Sequence, residues 1–109
     1  MRRYRMRGER VPILLVIAMS RHEAARAMED QGLDFRRMEN MRIVTKAYHL
    51  RGWGDGTPFI TAFRETWGAT AEGRALDDVL SIRTRSHALR PANERDLAPL
   101  MRAVREAAE

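Results

Sequence analysis

Val11-Pro-Ile-Leu-Leu-Val-Ile-Ala-Met19, followed without a break by Ser20-Arg21-His22-Glu23, is the stretch on which the fold turns. Its first nine residues are rich in β-branched side chains and show no apolar/polar alternation. That is the pattern of a strand covered on both faces in a parallel sheet, and Pro12 is tolerated only near its start. The polar quartet opens a helix: in a capping box the Ser20 hydroxyl and the Glu23 carboxylate each satisfy a free amide of the first turn. The helix expected over Arg21 to Gln31 puts Ala24, Ala27 and Met28 on one narrow apolar side, and Gly32 supplies the left-handed residue that ends it.

Working outward, Met41-Arg-Ile-Val-Thr-Lys46 alternates well enough to be a second strand, and the path from residue 11 to 46 has the length of a strand-helix-strand crossover. Gly52, Gly54 and Gly56 make Leu50 to Pro58 a turn-rich segment. Phe59-Ile-Thr-Ala-Phe63 is the third strand. Leu76, Val79, Leu80 and Arg83 fall at helical spacing, although Val79 to Thr84 also reads as a short fourth strand. Arg90-Pro91 breaks the chain before a last helix, for which Asp96 is the expected N-cap, so that Pro99 falls in the first turn where no amide bond is lost. Leu100, Met101, Val104 and Ala108 then make one apolar stripe. The fold class expected is α/β: a small three-layer unit with a sheet of three or four mostly parallel strands and about four helices.

The chain has 109 residues, one domain's worth. Leu, Ile, Val and Phe number only 22, but 15 Ala and seven Met raise the apolar share to 44%, enough for a small core. With no Cys, disulfides, thiolate chemistry and nearly every structural zinc arrangement are excluded, which fits a reducing cytoplasm. The net charge of +5 is concentrated: Arg2, Arg3, Arg5, Arg7 and Arg10 stand against Glu9 alone in the first ten residues. The expected organisation is therefore a basic arm over residues 1–10 and a nearly neutral α/β domain over 11–109. A basic segment before an apolar run also begins secretory signals. Here the run is nine residues long, contains Pro12 and leads straight into a helix start, and a membrane span needs about 20 apolar residues.

Ligands of open parallel sheets meet the carboxyl ends of the strands. That place gathers Ser20, Arg21 and His22 after the first strand, Lys46, Tyr48 and His49 after the second, and Arg64 and Glu65 after the third. Ser20, Arg21 and His22 make a possible anion site at a helix start. No nucleotide-hydrolysing loop is present, because Ala18-Met-Ser-Arg-His22 has neither the glycines nor the Lys that wrap phosphates. Gly52-Trp-Gly-Asp-Gly56 precedes a strand instead of opening a helix, so it is a turn and not a dinucleotide fingerprint. His22, His49 and His87 lack the spacing of a helical zinc site, no nucleophile elbow is found, and neither metal nor cofactor is expected.

The order of these elements resembles, in outline, small uncharacterised α/β proteins encoded by actinobacterial phages. The resemblance rests on the strand ending in Ala18-Met-Ser-Arg-His22, the Ala-rich helix closing at Gly32-Leu33, the strand Arg42-Ile-Val-Thr45, then Leu50-Arg51-Gly52 and Phe59 to Ala62. This layout is similar to a shortened, degenerate P-loop or Rossmann-like unit without its catalytic residues. The resemblance implies a fold and a phage origin, not an activity.

The residues themselves support a non-enzymatic binding protein that engages nucleic acid through Arg2, Arg3, Tyr4, Arg5, Arg7 and Arg10, helped by Arg21, Lys46 and Arg51. The alternative is a module that binds a host or phage protein through Trp53 and Trp67. A minor alternative is a nucleotide or anion binder at the strand ends.

Overall fold

The computed structural model describes residues 13–33 and 40–98. Its centre is the stretch quoted first: β1 (Leu14–Ile17) has all four side chains at most 2% exposed. β1 pairs in parallel with β2 (Met41–Val44) on one side and with β3 (Thr57–Thr61) on the other, and β3 pairs in parallel with β4 (Leu89–Pro91), giving the order β2-β1-β3-β4. The absence of alternation in β1 now has its cause. Leu14 and Val16 pack with Ala24 and Met28 of α1 (Arg21–Asp30), while Leu15 and Ile17 pack with Leu50, Trp67, Leu76 and Leu80 on the other face. Each such buried side chain contributes about 1.5–3 kcal/mol, so these four together rival the whole net stability of a domain this size.

α1 starts and stops where the sequence places its signals. Ser20 is extended and its hydroxyl accepts from the Glu23 N–H at 3.1 Å. The return half of the capping box is not made, and Glu23 Oε2 lies buried without a hydrogen-bond partner. At the other end Gly32 is left-handed (φ 75), its N–H donates to the Glu29 carbonyl, and Leu33 donates to Met28 while burying its side chain in the α1 cluster. This is the two-bond glycine termination with its apolar contact.

The far face is built by a 3₁₀ helix over Ala47–Gly52, a second over Arg64–Ala69, and α2 (Ala71–Arg85), which is capped by the Thr70 hydroxyl accepting from Gly73. Val79 to Thr84 is therefore helix, not strand. The fourth strand comes instead from Leu89–Pro91, where a break was expected. Ala92 donates to the Phe59 carbonyl, which orients residues 90 and 92 towards β3 and turns the N–H side of Leu89 and Pro91 to the open edge, so the missing amide of Pro91 costs no ladder bond. Pro58 enters β3 by similar logic: the β1 ladder begins only at Phe59.

The last described helix also begins earlier than expected. Residues 94–98 are helical and Asn93, not Asp96, is the cap: Asp96 N–H donates to Asn93 Oδ1 (3.1 Å) and Asn93 N–H to Asp96 Oδ2 (2.8 Å). Asp96 is the return member of that box, and the Arg90 guanidinium grips both its oxygens at 2.6 Å, tying the helix to β4. Pro99 and the stripe Leu100, Met101, Val104 and Ala108 lie outside the described residues.

Candidate functional site

With strand order β2-β1-β3-β4, the connections leaving β1 and β3 diverge to opposite faces, and the crevice beyond their carboxyl ends is the topological switch point. Ser20, Arg21 and His22 sit on its β1 side, the latter two exposed. Ser20 is committed to capping α1, and the Glu23 carboxylate already stands in that first turn. On the β3 side Phe63 takes a left-handed conformation (φ 53), and its ring lies 6.0 Å beneath the Arg26 guanidinium. Arg64 is engaged inside the protein. Its Nε donates to Asp77 Oδ1 at 2.7 Å, a second nitrogen donates to Ser81 Oγ at 3.2 Å, and the guanidinium lies 5.9 Å over the Trp67 ring.

The second strand end differs. Lys46 follows β2, and the Ala47–Gly52 3₁₀ helix carries Tyr48, His49 and Arg51. In a 3₁₀ helix side chains three apart eclipse. Ala47 and Leu50 make the inward row, with Leu50 fully buried against Leu76 and Leu80. Tyr48 and Arg51 make one outward row. His49 stands in the other, and the carbonyl of Lys46, the extended residue that caps the helix, accepts the His49 N–H at 3.1 Å. Tyr48 is 65% exposed and meets the His49 ring edge-on, centroids 4.3 Å apart. Among the described residues neither Lys46, Arg51 nor Arg21 pairs with a carboxylate. The sequence gathers Lys46, Tyr48 and His49 at this strand end and singles out Lys46 and Arg51 as contacts, but it does not show that the Tyr48 and His49 rings meet. The missing signal is a three-residue period, of which one 3₁₀ turn displays too little to read.

The two tryptophans part company. Trp67, expected at an interface, is 1% exposed, and its Nε1 donates to the Ala62 carbonyl at 3.1 Å. It is the largest side chain of the far-face core and offers nothing to a partner. Trp53 is half-buried, with its carbonyl accepting from Arg83. It lines a cleft of about 500 Å³ at the opposite edge of the sheet, together with Ile13, the 54–58 turn and Arg90. Gly52 to Gly56 is the turn expected, with Asp55 and Gly56 left-handed. The arm residues Arg2, Arg3, Tyr4, Arg5, Arg7 and Arg10 lie outside the described residues.

Among the described residues no cluster of three His, Asp or Glu side chains is placed to hold a metal ion, and no helix is long and apolar enough to cross a membrane. Comparison of the chain with known protein families, curated proteins and solved structures finds no match. The fold and the surface define a small three-layer α/β protein that carries, at the carboxyl edge of its sheet, exposed cations with no carboxylate partner among the described residues.

Proposed function

We propose that this chain is a non-enzymatic binding protein of phage origin, acting in the host cytoplasm, that engages nucleic acid through Arg2, Arg3, Arg5, Arg7 and Arg10 with Tyr4, together with Arg21, Lys46 and Arg51. The observation that carries the reading is the state of the three described cations. Each is exposed and, among the described residues, without a carboxylate partner, whereas Arg64 and Arg90 are tied to Asp77 and Asp96. A free surface cation near a phosphate releases a counterion, and each such contact steepens the dependence of affinity on salt by about 0.7–0.9 in the log–log slope.

The test is fluorescence anisotropy of labelled oligonucleotides with the full chain across a range of salt concentrations. Arg21→Gln, Lys46→Gln and Arg51→Gln combined should flatten the slope by about 2–3. Arg85→Gln, which removes an exposed cation from the end of α2, should leave it unchanged. Salt-insensitive binding, or equal loss in both variants, sinks the proposal.

Binding of a host or phage protein is the second reading, favoured by Trp53 beside its cleft. A captured partner that survives Trp53→Ala counts against it. Binding of an anion at Ser20, Arg21 and His22 is the minor one, and calorimetric titration with nucleotides that gives no heat removes it.

A further inference from the structure

Resting on the nucleic-acid reading, we infer that the ligand is single-stranded and that the Ala47–Gly52 helix is its stacking platform, with Tyr48 and His49 facing unpaired bases and Lys46 and Arg51 the phosphates. The eclipsed rows of the 3₁₀ helix carry the inference. One row buries Leu50 and fixes the helix to the core, and an outward row brings the Tyr48 ring together with the cation of Arg51, while Lys46, the extended residue that caps the helix, accepts the His49 N–H on its carbonyl. A Tyr ring left 65% exposed, edge-on to a second ring and flanked by unpaired positive charge, matches what an unstacked base and its backbone require. A duplex keeps its base faces stacked and offers this helix only phosphates. To use the rings, a duplex would first have to unstack, at a cost of a few kcal/mol per step. The residues are also close enough in sequence that one turn of chain sets their spacing, on the order of 6 Å between successive residues of a row.

The experiment compares the full chain with Tyr48→Ala and Tyr48→Phe on three labelled probes at fixed salt: oligodeoxythymidine, oligouridine and a duplex of equal length. Tyr48 is exposed, so neither variant disturbs the core, and thermal unfolding of both checks this. The expected result is preference for the single strands, a loss of about five-fold or more for Tyr48→Ala on them with no change on the duplex, and retention of affinity in Tyr48→Phe, which keeps the stacking ring. The two single-stranded probes separate DNA from RNA as the source of the bases. Unchanged single-strand affinity in Tyr48→Ala, with salt-dependent binding intact, overturns the platform and leaves the nucleic-acid reading standing. Equal loss on duplex and single strands overturns it as well. No binding of any probe by the unaltered chain overturns both.

Discussion

Replacing Gly73 by Ala tests how the far face is assembled. In an ordinary helix position this substitution stabilises by about 1 kcal/mol, because glycine leaves more backbone freedom to lose. Here a Cβ on residue 73 would sit 2.0 Å from the Trp67 carbonyl oxygen and 2.8 Å from its carbon, so the contact must open by about 1.4 Å to reach the 3.4 Å of normal packing. The obstacle is backbone, and it has little room to retreat. The Trp67 side chain is buried with its Nε1 bonded to Ala62, and residue 73 is itself tethered by its N–H to the Thr70 hydroxyl at 3.0 Å. Overpacking a well-filled site costs about 1–3 kcal/mol, and a backbone obstruction belongs at the top of that range. Set against the helical gain, the net loss is about 2 kcal/mol, which for a domain this size lowers Tm by about 8–16 °C. Leu50 shares a cluster with Trp67, Leu76 and Leu80, so a displaced α2 also loosens the helix that carries Tyr48. Thermal unfolding followed by far-ultraviolet circular dichroism reads the effect. A Tm equal to or above that of the unaltered chain would refute the close approach of α2 to Trp67.

Three further outcomes are expected. The hydrogen bonds from Arg90 hold the Asp96 carboxyl below the ordinary carboxylate range, against the opposing effect of burial and with help from the Asn93 amide. The stabilisation this brings is therefore full above about pH 4 and is lost as pH falls through the lower folded value, so the Tm gap between the chain and Asp96→Asn should narrow on acidification; a gap independent of pH would exclude the ion pair as its source. Iodide should quench the emission of a Trp67→Phe chain, which keeps the half-buried Trp53, and barely touch that of Trp53→Phe, which keeps the interior Trp67; equal quenching would contradict the burial of Trp67. Thr70→Ala and Ser20→Ala should each lower stability by about 1 kcal/mol in urea unfolding, and no change in either would mean that its hydroxyl does not cap the helix.

What was legible in the sequence was local. The run from Ile13 to Ala18 declares a doubly covered strand because both faces need apolar side chains, and the cap at Ser20 and the stop at Gly32 are short-range hydrogen-bond problems with few solutions. What was not legible depends on neighbours distant in the chain. Leu89–Pro91 is a strand only because β3 offers a ladder on one side and, among the described residues, no strand pairs with the other, a fact absent from three residues that end in proline. Trp67 is interior because α2 closes over it through Gly73, and a single aromatic in a 3₁₀ turn carries no periodicity to announce that. The cap at Asn93 is not legible because the constraint visible in the sequence, Pro99, points to Asp96, whereas Arg90 locks Asp96 into the return position of the box and so fixes the helix start upstream.

The arginines divide by task, and that division bears on function more than their number does. Arg83 donates to the Trp53 carbonyl, Arg74 to that of Gly68, and Arg64 and Arg90 grip Asp77 and Asp96. Each ties one segment of the fold to another, and one already engaged by such a partner gives up little to a phosphate. Arg21, Lys46 and Arg51 hold nothing inside the described residues, and two of them sit where the strands of a parallel sheet end. Because both faces of the sheet are covered, these ends and the loops beyond them are where a ligand can meet the scaffold without displacing core.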